Sequence, residues 1–540
     1  MSSSARADSF VAARTAAAAC AWGFVVAKLA AVLSGLLAGA GLITLPAFVS
    51  GFAGDVIVLA VVFACAFVLA RFARAARIAL VAAVLLGAYA CANVYLVAAF
   101  GSPLTAQMLA YRKDAAEASL AHGPLAFGLG ALAVFALGAW PAVRLARRMG
   151  ARAVAASLGL CAVLLVIGLA LPLFDEDGGL RALGLDRNAV AVLVTTALPE
   201  RETAQARIPW DAPWPAPRDA AARWLAPVDV DTSHGRPKHI VLWLAESTGA
   251  RHTSLYGGPK NATPTLEKLR PHSLRFLHYD ANTPVSAKAI FASLCGFYPA
   301  PEAAFETRTN PRIACPSLME TLTSAGYSAA LFHGGYFAFT DKMELLGERG
   351  FDLMLDGESV PDRDRYFENG WGIDDQAIVD HGLSWLDAHK DRPTLSVYIP
   401  LLPHYEYFMP PKAPKPFGDG SLLARYENGV HYSDQMFGEL VDAYRERGLL
   451  DDTLFVFVGD HGEAFEEHPL NKLHAGFLYE ENVQSPLVLY STKLFPREQT
   501  SERLGSHVDL AATLLDLVGV PVPASTQGQS LVSPSYVYRP

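Results

Sequence analysis

Long apolar stretches dominate the first third of the 540-residue chain. Five blocks follow one another with short polar or basic segments between them, at approximately 16–48, 54–70, 78–99, 124–143 and 153–173. A helix needs roughly 20 apolar residues to cross the hydrocarbon core of a bilayer. The pattern therefore predicts a membrane domain of five transmembrane helices over residues 1–174.

A different pattern begins at His239, where short apolar runs alternate with amphipathic helical segments. The predicted strands are 239–245, 327–332, 393–400, 453–459 and 486–490. Apolar strands separated by helices indicate a mainly parallel sheet with helices on both faces. We therefore expect an α/β domain over residues 237–540, joined to the membrane domain by a juxtamembrane linker over residues 175–236.

The two parts differ in charge as well as in hydropathy. Residues 1–174 carry 12 Lys+Arg against 4 Asp+Glu, a net charge of +8, whereas the whole chain carries −9, which leaves −17 for residues 175–540. Arginines cluster before the first block, between the second and third, and between the fourth and fifth. Basic residues favour the cytoplasmic side, so five spans place the C-terminal domain outside. Its acidic balance disfavours nucleic acid as a partner.

Acidic and histidine side chains follow two of the predicted strands. Glu246 comes directly after 239–245, and Asp460 and His461 come directly after 453–459. Because chemistry in open α/β sheets lies at the carboxyl ends of the strands, these side chains are expected at one edge. Mixed oxygen and nitrogen ligands predict one divalent metal ion, zinc or manganese first, with magnesium or calcium as alternatives. Helix capping is the structural alternative.

A hydroxyl nucleophile is available in the segment from Asn282 to Gly296. A loop ends near Val285, and a helix is predicted from Ser286. We predict that Ser286 loses its proton to the metal and acts as the nucleophile, while the helix amides hold an anion. Lys288 is expected to neutralise a phosphoryl oxygen. A simple N-cap role for Ser286 is the competing interpretation.

Three further histidines, His333, His404 and His474, lie at the ends of predicted elements. His333 and His404 follow apolar strands and are therefore expected at the same edge of the sheet. Each alone is typical of a loop histidine, but the shared placement favours anion binding or proton transfer to a leaving group. Cys295 and Cys315 form the only cysteine pair in the C-terminal part, as either a disulfide or two buried thiols.

Several segments resemble the sulfatase-like branch of the alkaline phosphatase superfamily. The resemblance covers residues 238–532 and rests on Glu246, the Ser286 segment, Asp460-His461-Gly462-Glu463, HAGFLYEENVQSPLVLY around His474, and SHVDLAATLLDLVGVPVP followed by QGQSL. The preceding membrane helices narrow it to lipoteichoic acid synthase-like and phosphoethanolamine transferase-like enzymes. It implies a multi-pass protein of the bacterial inner membrane with a periplasmic, alkaline phosphatase-type catalytic domain.

The same resemblance implies roles for individual residues. It assigns one metal ion to Glu246, Ser286, Asp460 and His461. His404 and His474 match the histidines that bind the substrate phosphate in this group.

The sequence also departs from the family pattern. The transferases have threonine as nucleophile, whereas the segment SLCGFYP aligns Ser286 with that position and leaves Thr283 as the alternative. Sulfatases carry a C/S-x-P-x-R pattern, and Ser286-Ala-Lys-Ala-Ile lacks both the proline and the arginine. The Phe-Trp-Asn-Arg run that binds glycerol phosphate in lipoteichoic acid synthases reads Phe-Thr-Asp-Lys at 339–342, so the head group stays open.

The expected reaction is a two-step transfer of a phosphoglycerol- or phosphoethanolamine-type head group. Ser286 attacks the phosphorus of a phospholipid donor and releases diacylglycerol, and an extracytoplasmic glycan or lipid acceptor then takes the group from the serine. A histidine such as His404 carries the proton, and substrate is expected to bind Lys288, His333, His404 and His474. A membrane-anchored phosphodiesterase or sulfatase-type hydrolase and a non-catalytic scaffold or sensor are the alternatives.

Overall fold

The computed structural model describes residues 3–37, 52–70, 72–100, 104, 122–170, 188–197, 224–300, 305–405, 407–465, 467–468, 471–474 and 477–538. Contacts divide the chain into two compact units, an N-terminal unit of residues 1–205 together with 468–471, and a C-terminal unit of residues 206–467 and 472–540. Most of the predicted linker lies outside the described residues, as does most of the predicted loop between the third and fourth apolar blocks.

The described part of the N-terminal unit is helical. Its helices are α1 (Ser3–Leu37), α2 (Ala53–Leu69), α3 (Ala73–Phe100), α4 (His122–Arg148), α5 (Ala151–Ala170) and α6 (Ala189–Ala197). The first five occupy the positions of the five apolar blocks, although the last third of the first block lies outside the described residues. The apolar pattern therefore located the helices correctly.

The structure supports three of the five predicted membrane spans by length and composition. Within the described residues, three helical segments are long and apolar enough to cross a membrane: Asp8–Leu33, Ala75–Val94 and Leu129–Arg148. The apolar segments Ala53–Leu69 and Ala151–Val166 are shorter. A helix of 17 residues is about 26 Å long, less than the roughly 30 Å of a bilayer core. Five spans, and the orientation that follows from an odd number, stay a prediction.

The C-terminal unit contains an eight-stranded sheet. Its strands are β1 (His239–Ala245), β2 (Ser273–Asp280), β3 (Ser328–His333), β4 (Leu353–Leu355), β7 (Thr394–Ile399), β8 (Thr453–Gly459), β11 (Leu487–Tyr490) and β12 (Gln499–Ser506), in the spatial order β12-β2-β11-β8-β1-β7-β3-β4. Two small hairpins pair β5 (Glu368–Asn369) with β6 (Gly372–Ile373), and β9 (Ala464–Phe465) with β10 (Lys472–Leu473). Only β11 runs antiparallel to its neighbours in the large sheet, which confirms the mainly parallel α/β fold.

Helices cover both faces of this sheet. They are α7 (Pro264–Leu269), α8 (Ser286–Cys295), α9 (Glu306–Thr309), α10 (Leu318–Ser324), α11 (Lys342–Leu346), α12 (Asp375–His389), α13 (Leu422–Glu446), α14 (Glu480–Val483) and α15 (His507–Val518). Alternate residues of a strand point to opposite faces. Accordingly, Leu242 joins a core with Phe291 of α8 and Leu514 of α15, whereas Trp243 joins a core with Leu386 of α12 and Phe437 of α13.

Burial on both faces explains why β1 and β8 are apolar at every position after the first. Because the strands themselves are buried and apolar, polar side chains can come together where these two strands end, at their carboxyl ends. Cys295, at the end of α8, forms a disulfide with Cys315, and the two Cα atoms lie 5.5 Å apart. The bridge ties the far end of α8 to the segment before α10.

Candidate active site

The central pair of strands brings two carboxylates together. β1 and β8 pair in parallel with Ala245 opposite Gly459, so the next residues, Glu246 and Asp460, leave the sheet side by side. Both are buried, with 6% and 2% of their surface exposed. Oδ1 of Asp460 accepts hydrogen bonds from the backbone N–H groups of Ser247 and His461, at 2.7 and 2.8 Å. The backbone after each strand therefore fixes the Asp460 carboxylate.

A serine hydroxyl and an imidazole complete this group. Ser286 is the first residue of α8, and its Oγ lies 3.4 Å from Oε2 of Glu246 and 3.2 Å from Nε2 of His461. The same nitrogen of His461 lies 3.5 Å from Oδ2 of Asp460. We call Glu246, Ser286, Asp460 and His461 the edge cluster. All four residues assigned to a metal site from the sequence thus lie within contact of one another.

Ser286 does not act as the cap of its helix. The N-cap position of α8 is Val285, whose side chain makes no capping hydrogen bond, and the Ser286 hydroxyl faces the edge cluster instead. Thr283, the alternative nucleophile, has a buried hydroxyl without a hydrogen-bond partner in the described part of the chain. The geometry therefore favours Ser286 over Thr283.

The electrostatics of the edge cluster suit a cation. Burial and the neighbouring Asp460 raise the pKa of Glu246, and burial raises the pKa of Asp460 to about 7. Burial and the nearby His474 lower the pKa of His461 to about 4. Among the described residues, no lysine or arginine forms an ion pair with either carboxylate. A divalent ion bound here would replace the missing positive charge and favour the deprotonated ligands.

The ligand atoms are close enough for one ion. Those of Glu246, Asp460 and His461 all lie within 4.8 Å of one another, and the same holds for His461, Glu463 and His474. Nδ1 of His461 lies 2.9 Å from the carbonyl of Gly462, which can only accept a hydrogen bond. The proton therefore sits on Nδ1, and Nε2 is left as a metal ligand.

The predicted substrate histidines lie around the cluster. The ring of His474 lies 4.1 Å from the ring of His461, between centroids. The Nδ1 atom of His404 bonds to the Tyr405 carbonyl at 2.6 Å, and its ring packs 4.4 Å from Trp371. His404 is close enough to Glu246 and His474 to influence the pKa of each.

His333 ends β3, beside the loop that carries His404. Its Nδ1 atom lies 3.0 Å from the Ile399 carbonyl, while its Nε2 atom is buried without a hydrogen-bond partner among the described residues. Burial and the positive charge of Lys342 lower the pKa of His333 to about 3. His333 is therefore neutral, and any contact that it makes with substrate is that of a hydrogen-bonding group.

Lys288 has other partners than the sequence suggested. Its ammonium group is buried, with Nζ 2.5 Å from the Ala300 carbonyl and 3.5 Å from Oε1 of Glu306. Residues two apart on a helix lie on different faces, so the exposure of Ser286 to the edge cluster turns Lys288 away from it. We therefore do not carry its phosphoryl-binding role further.

The sequence predicts no role for two acidic residues of the site. Glu463 belongs to the Asp-His-Gly-Glu motif, and it contacts His474 at 2.7 Å and the Tyr407 hydroxyl at 2.6 Å. Asp375 accepts hydrogen bonds from the backbone N–H groups of Leu401 and Leu402 at 2.5 and 3.1 Å, and thereby holds the loop before His404. Neither role has a local sequence signal beyond the acidic residue itself.

Backbone strain is concentrated near the site. Positive φ angles occur at Ser247, which follows Glu246, at Thr340 and Asp341 in the segment before Lys342, at Tyr407 and at Leu473. Non-glycine residues adopt this region at a cost of about 1–3 kcal/mol each, and such residues cluster at functional sites. Position 462 is also restricted to glycine, because a Cβ atom there would lie 2.3 Å from the Glu481 carbonyl oxygen.

A hydroxyl, two carboxylates and an imidazole at the carboxyl edge of a mainly parallel sheet define an α/β enzyme with a candidate metal site. The sequence model of the sulfatase family matches residues 238–520, more than half of the chain. The chain therefore belongs to the sulfatase family, a group of enzymes in the alkaline phosphatase superfamily.

The individual proteins to which the chain is similar match it at low identity or over a short part of their length. The lipoteichoic acid synthase-like protein YvgJ of Bacillus subtilis is 24% identical over 322 residues, which cover 55% of this chain and 50% of YvgJ. Arylsulfatase K of Xenopus laevis is 35% identical over 100 residues, 18% of each chain. The crystal structure of the lipoteichoic acid synthase LtaP from Listeria monocytogenes has 20% identity and a TM-score of 0.46, and the match covers 58% of this chain and 80% of LtaP. The chain thus spans half or less of the length of these two curated relatives.

Proposed function

We propose that the protein is a membrane-anchored, metal-dependent transferase. It moves a phosphoglycerol- or phosphoethanolamine-type head group from a phospholipid to an extracytoplasmic glycan or lipid acceptor. The observation that carries the proposal is the Ser286 hydroxyl, which lies at the N-terminus of α8 and within 3.4 Å of both Glu246 and His461. A helix N-terminus favours negative charge on that oxygen and on a bound phosphate.

Glu246, Ser286, Asp460 and His461 would hold the divalent ion, zinc or manganese first, with magnesium or calcium as alternatives. When bound, the ion supplies Lewis-acid chemistry that lowers the pKa of the serine hydroxyl and offsets charge on the phosphoryl oxygens. The raised pKa values of these two buried carboxyl groups, which form no ion pair with a described lysine or arginine, support this assignment.

The protein residues divide the reaction into two displacements. Ser286 Oγ loses its proton and forms a bond to phosphorus while the bond to the diacylglycerol oxygen breaks, and that oxygen takes up a proton. An acceptor hydroxyl then loses its proton and forms a bond to the same phosphorus, while the bond to Ser286 Oγ breaks and Ser286 takes up a proton. His404 and His474 are the proposed proton carriers and phosphate ligands, because both surround the edge cluster and present Nε2 away from their Nδ1 partners.

A second group of polar residues is suited to bind the part of the head group that lies beyond the phosphate. The Nε2 atom of His333 and the Thr340 hydroxyl are buried without hydrogen-bond partners among the described residues. Buried polar atoms of this kind are costly unless a ligand satisfies them. A polar head group, rather than an apolar one, fits this side of the site, where Trp371 supplies an aromatic wall beside His404.

The membrane segments favour a lipid donor. Three helices long and apolar enough to cross a membrane would keep the C-terminal unit close to its bilayer, where a lipid is present at high effective concentration. The proposed location is the bacterial inner membrane, with a multi-pass N-terminal domain over residues 1–174, a linker over 175–236 and a periplasmic catalytic domain over 237–540. The partners are then the phospholipid and its acceptor.

A hydrolase is the second candidate, and the likeness to arylsulfatase K is the observation that favours it. It would be a membrane-anchored phosphodiesterase or sulfatase that cleaves exported esters and needs no acceptor. A non-catalytic scaffold is disfavoured because the hydroxyl, both carboxylates and the imidazole are all in place.

The test is lipid cleavage by the purified full chain. Fluorescent phosphatidylglycerol and phosphatidylethanolamine are incubated with zinc or manganese, and with chelator, and the products are diacylglycerol and a phosphorylated Ser286 peptide. Ser286→Ala is expected to lower diacylglycerol release at least about a thousandfold. Ser293→Ala is the matched control, because its buried hydroxyl in the same helix has no hydrogen-bond partner among the described residues. Full activity of the Ser286 variant would eliminate the mechanism, and cleavage of soluble esters without lipid cleavage would establish the hydrolase.

A further inference from the structure

Glu463 lies beside the edge cluster but makes no contact with Ser286. Its side chain is fully buried, and each of its two oxygens is bound by a different loop. Oε1 accepts a hydrogen bond from the Tyr407 hydroxyl at 2.6 Å, and Oε2 lies 2.7 Å from Nδ1 of His474. The carboxylate therefore joins the loop after His404 to the loop that ends at His474.

One partner of this carboxylate, and the residue directly before the other, lie on strained backbone. Tyr407 has a φ angle of 62°, and Leu473, directly before His474, has a φ angle of 60°. Bulky side chains adopt this region only where their surroundings impose it. Around Tyr407 these surroundings are the rings of Tyr426 and Phe465, 5.6 and 6.1 Å from its own. The strain is therefore balanced by packing and by the hydrogen bonds of Glu463.

His474 differs from the other two histidines near the edge cluster in the group that its Nδ1 atom contacts. His404 and His461 direct Nδ1 at backbone carbonyls, those of Tyr405 and Gly462, whereas His474 directs Nδ1 at a carboxylate. A carboxylate oxygen that accepts a hydrogen bond from Nδ1 at 2.7 Å holds the proton on that nitrogen and leaves Nε2 to face the reacting group. Its bond is also stronger than one to a carbonyl. The orientation of His474 thus depends on a side chain that Tyr407 fixes.

We infer that Glu463 is a positioning residue that, held by Tyr407, fixes the ring orientation and the protonated nitrogen of His474 for the transfer reaction. The inference rests on the proposed function, since it assumes that His474 acts on the transferred phosphate. It assigns Glu463 no direct contact with substrate and no place among the metal ligands. Its effect on the reaction therefore passes through His474 alone.

A double-mutant cycle on the full chain tests this dependence. Diacylglycerol release, with kcat and KM separated, and bound metal are measured for Glu463→Ala, His474→Ala and the double variant. His474→Ala is expected to lower kcat about a hundredfold, and Glu463→Ala about tenfold, with KM and metal content unchanged. Because residues that act as a unit are not additive, the double variant is expected to match His474→Ala alone.

A conservative variant separates positioning from folding. Glu463→Gln is expected to restore most of the kcat lost in Glu463→Ala, because its amide oxygen still accepts from Nδ1 of His474 and its amide nitrogen can donate to the Tyr407 oxygen. Tyr407→Phe removes one hydrogen bond and is expected to lower kcat by less than Glu463→Ala.

Three results would overturn the inference. The first is a Glu463→Ala effect of the same size with and without His474. The second is loss of metal in Glu463→Ala, which would make the residue part of the metal site. The third is unchanged kcat in His474→Ala, which leaves Glu463 nothing to position. Phosphorylation of Ser286 is scored separately, so failure of the transfer mechanism is distinguishable from failure of the inference.

Discussion

Two groups of buried carboxylates in this molecule differ in whether a basic side chain lies beside them. In the N-terminal unit, Asp55 is paired with Lys28 at 3.5 Å and accepts a hydrogen bond from Asn188 at 2.7 Å. In the C-terminal unit, Glu306 is paired with Lys288 in the same way. Each of these acids has a basic partner within its own unit.

The carboxylates of the edge cluster have no such partner in the described chain. Glu246 and Asp460 face each other, a serine and an imidazole that burial keeps neutral. Burying an unpaired charge costs several kcal/mol, whereas burying a paired one costs less. An acid with a basic partner in its own unit therefore supports the fold, whereas a cluster of acids without such a partner is suited to bind a metal cation. A substitution that removes the basic partner of a paired acid should therefore lower stability and leave activity unchanged. A substitution that removes an acid of the edge cluster should lower activity and leave stability unchanged or higher.

The largest effect is expected from Asp460→Asn. Without this carboxylate the edge cluster should lose its metal, and diacylglycerol release should fall at least about a thousandfold. The metal-free protein should melt at the same or a higher temperature than the metal-free wild type, because a buried, unpaired negative charge has been removed. Metal analysis, turnover and thermal melting with chelator measure the three quantities.

The control for this variant is Asp434→Asn, another buried aspartate that lies in α13 outside the site. It should keep both metal and activity. If Asp460→Asn kept its metal but unfolded more easily, the carboxylate would support the fold in the way that Glu306 does. The distinction between the two kinds of acid would then be lost.

A smaller effect, on stability rather than on chemistry, is expected from Lys288→Met. The change removes the cation from the buried Glu306 carboxylate, which keeps a hydrogen bond from the Ala300 N–H at 2.6 Å, and breaking such a pair costs about 3 kcal/mol. Denaturant unfolding of the full chain measures the loss, and turnover per folded molecule should stay unchanged. Lys415→Met is the control, since its pair with Asp419 at 3.8 Å is exposed and contributes about 1 kcal/mol or less.

The opposite result for Lys288→Met is informative as well. Normal stability with lost turnover would mean that the ammonium group reaches the phosphoryl group during the reaction, as the sequence suggested. The substitution thus decides between a structural lysine and a substrate-binding one.

The sequence was sufficient for those parts of the fold that depend on burial. β1 and β8 are buried on both faces, so they are continuous apolar runs, and the rule for parallel sheets then places Glu246 and Asp460 at one edge. The three-residue strand β4 was missed, and so were β2 and β12. Their sequences, SLRFLHYD and QTSERLGS, mix polar and apolar residues because they lie at the side of the sheet and are partly exposed.

The supporting residues of the site depended on tertiary contacts that leave no periodic pattern. Tyr407 meets Glu463 across 56 positions of sequence, and Trp371 reaches His404 from the β5–β6 hairpin. Lys288 shows the reverse case, where closeness in sequence to Ser286 differs from closeness in space. A helix turns through about 200° over two residues, so the two side chains leave opposite faces of α8.

The smallest expected effect concerns Asp434, a buried acid outside the site that forms no ion pair with a described lysine or arginine. Its oxygens accept the N–H groups of Thr265 and Leu266 at 2.7 and 3.1 Å, and burial raises its pKa to about 7. In the unfolded chain an aspartate ionises near pH 3.9. Between these values the native carboxyl keeps a proton that the unfolded one releases, so stability should fall as pH rises from about 4 to about 7. An asparagine side chain does not titrate, so melting of Asp434→Asn from about pH 5 to about pH 7.5 should show a shallower decline than the wild type. Equal slopes would mean that the two N–H donors keep this carboxylate ionised and that unpaired burial alone does not mark a site.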